Sequence, residues 1–267
     1  MAAFEGWNDA ADAASSAARY LHDRWSARPF ADIDPEEFYD FSSTRPHVRL
    51  VDGVTRAIDW PSNELSAAEL PGTSRDVVLL LGIEPQLRWR TFAAELVGLA
   101  GRLQVEMVVI LGALLADVPH TRPVRITGTA ADADLIRRLE LARSTYEGPT
   151  GIVGVLHDAF RQAELPSASL WAAVPHYVAA TRSPKASLAL VRRTATLLST
   201  SITTDDLESA AADYERQVSE VVASDDDVSA YVSRLEASVD EGELADMEIP
   251  SGDALAAELE RFLRDQT

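Results

Sequence analysis

Residues 76–115 read DVVLLLGIEPQLRWRTFAAELVGLAGRLQVEMVVILGALL, and the pattern of this stretch indicates the fold class. Two continuous apolar runs, DVVLLLG at 76–82 and VEMVVILGALL at 105–115, are bounded by turn residues. Between them, RWRTFAAELVGLAGRL at 88–103 carries apolar side chains at helical spacing. Apolar runs without alternation are typical of strands that are buried on both faces. The stretch therefore predicts a strand, a helix and a second, parallel strand.

The same alternation continues on both sides of this unit. An apolar stub, MAAF, precedes a helix that is predicted to run to about Trp25. Two more strands are expected around PVRITG at 123–128 and SLWAAVP at 169–175. Further helices are predicted over three ranges, 131–143, 151–164 and 184–199. Strands that alternate with helices predict an α/β protein, a three-layer α/β/α sandwich.

Two local signals lie between the first helix and residue 76. Asp34 stands before Pro35 and predicts the capped start of a short helical turn. HVRLVDGVTRAIDW at 47–60 has alternating runs on either side of Asp52-Gly53, which predicts a β-hairpin. We expect this hairpin at an edge of the structure.

The chain changes character at about residue 200. Residues 201–267 contain 19 acidic and 4 basic residues, which leaves 24 acidic and 20 basic in residues 1–200. Apolar residues recur at helical steps in two successive segments and again over 253–264, so this part is predicted to be an all-helical, acidic C-terminal extension. We therefore divide the chain into an α/β domain, 1–200, and a helical segment, 201–267. The acidic surface is either a solvated outer face or a docking surface for a partner.

Composition excludes several classes of function. The net charge is −19, and neither part carries the basic stripe that a nucleic-acid-binding protein needs, so we predict no nucleic-acid partner. No segment reaches the roughly 18 to 20 apolar residues that span a bilayer, and the N-terminus lacks the pattern of a secretion signal. The chain has no cysteine. These features predict a cytoplasmic location, with no membrane partner and no disulfide or thiolate chemistry.

Candidate site residues follow the predicted strands, because the loops at the carboxyl ends of parallel strands meet at one edge of a sheet. The segments GWND, GIEPQLRW, ADVPHTRP and VPHY, together with EGPTGIVG at a helix start, should converge there. The candidates for ligand binding are Asn8, Asp9, Glu84, His120, Thr150 and His176. Within FEGWNDA, Gly6 is expected to permit a tight exit from the strand and Trp7 to pack. One of Asn8 and Asp9 is expected to cap the helix, and the other to face the crevice, near Glu84 and His120.

No catalytic group stands out among these residues. Two histidines and Glu84 could bind zinc, but paired histidines at local spacing are absent. The chain has no G-x-S-x-G, and GPTG is not a Walker sequence. The GPTG turn is read either as an anion-binding helix start or as structural capping. We predict no catalytic residue, no metal site and no cofactor.

Five ordered stretches resemble the PAC2 family in its actinobacterial form. They are FEGWNDAADAASSAARYL, LLLGIEPQLRWRTF, ILGALLADVPHTRPV, YEGPTGIVGVLHDAF and SLWAAVPHYVAATRSPKASLALV. The resemblance implies a sandwich similar to the purine nucleoside phosphorylase fold and homo-oligomerisation, with a trimer favoured. The family is named after eukaryotic proteasome assembly chaperones. Its glycine-tryptophan-asparagine-aspartate opening corresponds to residues 6–9, and its later glycine-rich turn to Gly148, Thr150 and Gly151.

Two departures from the family pattern bear on function. Archaeal relatives that engage the proteasome end in a hydrophobic residue, tyrosine and one more residue, whereas this chain ends Asp265, Gln266, Thr267. Relatives also begin with a longer first strand, so MAAF is expected to be a shortened start.

Two functions of different classes follow. The first is a non-enzymatic binding or assembly protein, with a protein partner. The second is a small-molecule-binding protein or enzyme that uses the strand-end crevice. A deep concave pocket with converging polar groups would favour the second, and a filled or flat edge would favour the first.

Overall fold

The central feature of this computed structural model is a seven-stranded sheet. The structure describes residues 1–130, 132–142 and 147–241. In chain order, the strands of this sheet are β1 (Ala2–Glu5), β2 (Arg28–Ile33), β5 (Asn63–Glu69), β6 (Asp76–Ile83), β7 (Val108–Ala116), β8 (Ile126–Ala130) and β9 (Ser167–Pro175). The remaining two strands, β3 (His47–Val51) and β4 (Thr55–Asp59), form a separate hairpin. The spatial order in the large sheet is β2-β5-β6-β1-β7-β9-β8.

The four central strands, β6, β1, β7 and β9, are parallel, as the continuous apolar runs predict. The strands outside them are antiparallel: β5 pairs with β6, β2 with β5, and β8 with β9. Sequence reasoning missed β2 and β5. Neither segment gives a strong strand signal in the sequence. RPFADI contains a proline, and NELSAAE is rich in polar and small residues.

Helices cover both faces of the sheet, so the α/β class is confirmed. The helices are α1 (Ala13–Arg24), α2 (Trp89–Arg102), α3 (Ala133–Leu139), α4 (Ile152–Gln162), α5 (Pro184–Leu198), α6 (Asp205–Val222) and α7 (Asp226–Asp240). The buried side chains of α1 and α5 share one core cluster, and those of α2 and α4 share another on the opposite face. Four fully buried alanines, at 13, 14, 17 and 18, let α1 approach the sheet closely. None of the helices in the described ranges is long and apolar enough to cross a membrane.

Helices α6 and α7 form a hairpin that packs through a small apolar cluster of Tyr214, Val218, Val222 and Val232. Asp225 caps the start of α7, and its carboxylate accepts the N–H groups of Asp227 and Val228. The two helices also make ion pairs with basic side chains of residues 1–200. These pairs are Arg24 with Asp206, Arg192 with Glu208, Lys185 with Glu215, and Arg122 with Glu236 and Asp240. The helix predicted over 253–264 lies outside the described residues.

Candidate functional site

The loops that follow the four parallel strands meet at one edge of the sheet, called here the strand-end edge. The predicted site residues lie at this edge in two groups. Asn8 and Glu84 follow β1 and β6, and they contact the start of α4. His120 and His176 follow β7 and β9, and their neighbours come from the α5 to α7 side. The structure therefore divides the predicted site between two clusters.

The first group, the Glu84 cluster, consists of Trp7, Asn8, Glu84, Gly151 and Ile152. The Glu84 carboxylate accepts three hydrogen bonds, from the Ile152 N–H at 2.8 Å, the Asn8 Nδ2 at 3.4 Å and the Trp7 N–H at 3.4 Å. Ile152 is the first residue of α4, so Glu84 places a negative charge at a helix N-terminus. Its three partners come from two different loops, and the carboxylate ties these loops together.

Two glycines make room for this cluster. A Cβ atom at Gly151 would lie 2.3 Å from Asn8 Nδ2 and 2.7 Å from Glu84 Oε1. Gly6 has a φ of 131°, and a Cβ there would lie 3.1 Å from Glu84 Cβ. Gly6 therefore permits the tight exit from β1, as predicted, because side chains rarely adopt this conformation.

Asp9 serves as the capping residue of FEGWNDA. Its Oδ1 accepts the N–H groups of Ala14 and Ser15, at 2.7 and 3.1 Å, in the first turn of α1. Its Oδ2 is buried without a partner among the described residues. Burial raises the pKa of Asp9, and the two N–H donors oppose this shift. Asn8, also buried, is the second polar group of the pair and faces Glu84.

Within a single copy, the prediction that Trp7 packs is wrong, because 59% of its surface is exposed. Thr150 is exposed, and its hydroxyl lies over Gly154 in the first turn of α4. Its side chain makes no hydrogen bond to the other predicted site residues, so Thr150 lies near the Glu84 cluster without contributing a polar group to it.

The second group, the His120 cluster, is a closed hydrogen-bond network of His120, Tyr177, Lys185, Glu215 and Ser219. The Tyr177 hydroxyl lies 2.8 Å from His120 Nδ1, and His120 Nε2 lies 3.0 Å from Ser219 Oγ. The Ser219 hydroxyl donates to the Glu215 backbone carbonyl at 2.8 Å, so the network is consistent with a neutral imidazole that donates from Nε2. Lys185 Nζ donates to the His120 carbonyl and to the Glu215 carboxylate.

Electrostatics agrees with a neutral His120. Burial is the largest effect and lowers the pKa of His120, and the Lys185 charge acts in the same direction. The carboxylates of Glu215 and Glu236 oppose the shift. Burial raises the pKa of Tyr177 to about 12, which keeps its hydroxyl protonated. The role of Lys185, the only lysine in the chain, was not visible in the sequence because its partners Glu215 and His120 are 30 and 65 residues away.

His176 lies beside the His120 cluster but takes no part in its hydrogen bonds. Its Nδ1 lies 3.1 Å from Asp117 Oδ1, although the geometry does not make a hydrogen bond. Its ring contacts Tyr177 and Tyr231 edge-on. The Tyr231 hydroxyl donates to the same Asp117 carboxylate at 2.8 Å. His176 thus takes part in the contact between β9 and α7.

A small cavity of about 30 Å³ lies beside His120. Its walls are formed by Val118, Pro119, His120, Arg122, Pro123, Val124, Arg125, Ala173, Pro175, Ser183, Lys185, Tyr214 and Val239. This volume holds one or two water molecules, whereas metabolite pockets measure roughly 300 to 1,000 Å³. Within the described ranges, no cluster of three or more potential metal ligands is present.

A buried polar pair next to Glu84 was not predicted. Asn63 is fully buried, and its Nδ2 donates to the Tyr39 hydroxyl and to the Ile83 carbonyl. The Tyr39 hydroxyl also donates to the Ile83 carbonyl at 2.6 Å. These bonds hold the end of β6, and hence the residue before Glu84. Neither residue stands in a recognisable motif, so no sequence signal identified them.

The comparisons agree on one family. The PAC2 family profile matches residues 3–222. A PAC2 family protein from Streptomyces avermitilis is 48% identical, with 86% of this chain and 97% of that chain covered and a TM-score of 0.82. A proteasome-assembly chaperone homologue from Mycobacterium tuberculosis is also 48% identical, over 86% of this chain and 98% of that one, with a TM-score of 0.79.

A more distant structure shows the same fold. The Pyrococcus furiosus protein PbaB, an archaeal proteasome activator, is 16% identical over 82% of this chain and 92% of that chain, with a TM-score of 0.66. No curated protein matches the chain significantly. From the profile match over most of its length and the two relatives at 48% identity, the chain belongs to the PAC2 family.

Proposed function

We propose that this protein is a non-enzymatic binding or assembly protein that acts on a protein partner in the cytoplasm as a homo-oligomer, with a trimer favoured. Family membership supports an assembly role, because a 48% identical relative is described as a proteasome-assembly chaperone homologue. The fold proposed with it is the phosphorylase-like three-layer sandwich over residues 1–200, with residues 201–267 as an acidic helical extension. The ion pairs between α6, α7 and the preceding residues support an extension that is docked on the sandwich.

One observation carries the proposal: the Glu84 carboxylate fills the position where a ligand would bind. In open α/β sheets, small ligands bind at the carboxyl ends of the strands, and their anionic groups sit at helix N-termini. Here the Ile152 N–H at the start of α4 is bound by Glu84 at 2.8 Å. Asn8, the other inward-facing polar group, is bound to the same carboxylate. An incoming anion would have to displace a negative charge of the protein itself.

The His120 cluster supports the same conclusion. Its ring nitrogens, the Tyr177 hydroxyl and the Lys185 ammonium have all found partners within the chain. The adjoining cavity is too small for a metabolite. Both groups at the strand-end edge thus hold loops and helices in place, which fits a protein that presents a shaped surface.

Affinity capture with the full chain tests the proposal. Tagged protein is recovered from its native lysate, and proteins and metabolites in the eluate are both identified. We expect a protein partner near equimolar amounts, retained equally by the wild type and by Asn8→Ala, because Asn8 is buried. A metabolite at one equivalent per chain, without a protein partner, would contradict the proposal.

The second candidate, a small-molecule-binding protein or enzyme, is favoured by a different observation. Asn8, Glu84 and the start of α4 converge as predicted, and the exposed Trp7 lies beside them. If this is the function, a captured metabolite should be lost from both Asn8→Ala and Glu84→Gln. Retention by both variants would exclude the Glu84 cluster as its site.

A further inference from the structure

The hairpin β3–β4 presents an apolar face that nothing in the described chain covers. Its strands pair with each other and not with the large sheet. Val48 is directly opposite Ile58, and Leu50 is opposite Arg56, so these four side chains share one face. The exposed fractions are 61% for Val48, 61% for Leu50 and 54% for Ile58. At the tip, Val54 is 84% exposed.

Such a hairpin needs a cover for two physical reasons. An isolated two-stranded ribbon is at best marginally stable in water, and it gains stability when its apolar face packs against another surface. Contiguous exposed apolar side chains on a soluble protein also mark sites of association. The opposite face does not share this feature, because it carries the ion pair between Arg49 and Asp59 and the polar Thr55.

The base of the hairpin lies at the strand-end edge. The Phe41 ring contacts Trp60, with centroids 4.9 Å apart, at the point where the chain enters and leaves the hairpin. Nearby, Asp40 N–H donates to Gln86 Oε1, and Phe38 carbonyl accepts the Leu87 N–H. The hairpin therefore projects from the loop next to Glu84, and these two hydrogen bonds hold the segment before its base in position.

The same edge carries exposed apolar side chains that could receive the hairpin of a neighbour. Trp7 is 59% exposed and Leu87 is 47% exposed. Charge also permits this pairing. Residues 45–60 contain three arginines and two aspartates, a net charge of +1, while the whole chain carries −19. The hairpin therefore lacks the excess negative charge that would repel it from a second acidic copy.

We infer that the hairpin is an oligomerisation arm whose face of Val48, Leu50 and Ile58 packs on the strand-end edge of a second copy, around Trp7. The inference rests on the proposed homo-oligomer and names the surfaces that form it. In this inference each copy gives its arm to one neighbour and receives the arm of another, which makes the contact heterologous. Heterologous contacts close into a ring when the rotation allows, which fits a trimer.

The test is the molar mass of the full chain at micromolar concentration, measured by light scattering after size exclusion. We expect the wild type at three times 29.0 kDa and Ile58→Asp at 29.0 kDa. Trp7→Asp should also give the monomer mass, because it alters the receiving surface. The matched control is Thr55→Asp, which adds the same charge on the opposite face of the same strand and should keep the wild-type mass. Circular dichroism checks that all variants keep the sandwich.

The outcomes separate this inference from the function proposed above. A monomeric wild type would remove the homo-oligomer and the arm together, and capture of a protein partner would still decide the assembly role. An oligomer that survives Ile58→Asp would overturn the arm alone. Loss of a captured protein in Ile58→Asp, with the oligomer intact, would show that the hairpin binds a different protein, which also overturns the inference.

Discussion

Glu84 accepts the backbone N–H of Ile152 at 2.8 Å, across 68 residues of sequence, and thereby caps helix α4 with a carboxylate from the loop after β6. A cap usually comes from the residue before the helix, but here that residue is Gly151, which has no side chain to offer. The cap comes from Glu84 and not from residue 151 for a geometric reason: any side chain at Gly151 would collide with Asn8 and Glu84. Glycine at 151 and glutamate at 84 are therefore two parts of one arrangement.

Glu84→Gln should destabilise the fold by about 1–3 kcal/mol. Both carboxylate oxygens face N–H donors, so the amide group of glutamine would place a donor against a donor. The negative charge at the α4 N-terminus is lost as well. Urea unfolding measures the change. A variant as stable as the wild type would mean that the three hydrogen bonds contribute no net stability.

Gly151→Ala should destabilise by about 1–3 kcal/mol, because the new Cβ would overpack the Glu84 cluster. The control is Gly98→Ala, in the exposed interior of α2, where the added Cβ meets only the Arg102 guanidinium at 3.6 Å. That change should stabilise the fold by about 0.5–1 kcal/mol, because alanine favours helix. Equal effects of the two substitutions would contradict the predicted collision.

Asp9→Ala should cost about 1–2 kcal/mol, because the Ala14 and Ser15 N–H groups lose their acceptor. Asp9→Asn should cost less. The asparagine oxygen can still accept both N–H groups. Asparagine is also neutral, so it avoids the cost of burying a charged carboxylate, a cost that shows in the raised pKa of Asp9. Thermal unfolding at pH 7 ranks the two variants. A larger loss for asparagine would show that the charge, rather than the hydrogen bonds, holds the start of α1.

His157 should make stability depend on pH. Its Nδ1 lies 2.8 Å from Ser167 Oγ, and burial lowers the pKa of His157 to about 4. In the unfolded chain the pKa of this histidine is near 6.5. Between pH 6.5 and 4 the unfolded chain therefore binds a proton that the folded chain does not, and the stability of the fold decreases as the pH drops through this range. The full loss is of the order of 3 kcal/mol.

His157→Gln provides the comparison, because glutamine is polar and does not titrate. The difference in unfolding free energy between the wild type and the variant should shrink as the pH is lowered, since only the wild type carries this proton-linked loss. Carboxylates titrate equally in both proteins and cancel from the difference. A difference that stays constant from pH 7 to 4.5 would refute the shifted pKa of His157.

The sequence supported the fold better than the site, for reasons visible in single residues. The buried parallel strands and the hairpin turn at Asp52-Gly53 followed from local patterns, because each depends on neighbouring side chains. At the end of α6 the local pattern is ambiguous, because Val221 and Val222 are both apolar. Only Val222, which lies at steps of four from Tyr214, is buried, whereas Val221 is 67% exposed.

The site was predicted less well because its contacts join residues that are distant in sequence. The strand-end rule placed Asn8, Glu84, His120 and His176 at one edge correctly. The rule does not say which helices each side chain will contact. Glu84 contacts the start of α4 and His120 contacts α6, and this difference separates the two clusters. The burial of His120 also depends on a helix about 100 residues further along, which no local pattern contains.

That dependence gives the last prediction, which concerns removal of residues 203–267. We expect the sandwich to remain folded, because its two large core clusters draw on the sheet and on α1, α2, α4 and α5. His120 would lose Ser219 and the cover of α6, and its pKa should rise toward the ordinary value near 6.5 because burial is the main cause of its present shift. Loss of Glu215 and Glu236 opposes that rise, but both are smaller effects than burial. Histidine proton chemical shifts, followed from pH 4 to 8 in the full chain and in the truncated chain, measure the change. Cooperative unfolding of the truncated chain must be checked first, and its absence would show that α6 and α7 belong to the core rather than to a docked extension.

An unchanged His120 pKa in a folded truncated chain would show that the loops at the strand-end edge, and not the acidic helices, keep this histidine neutral.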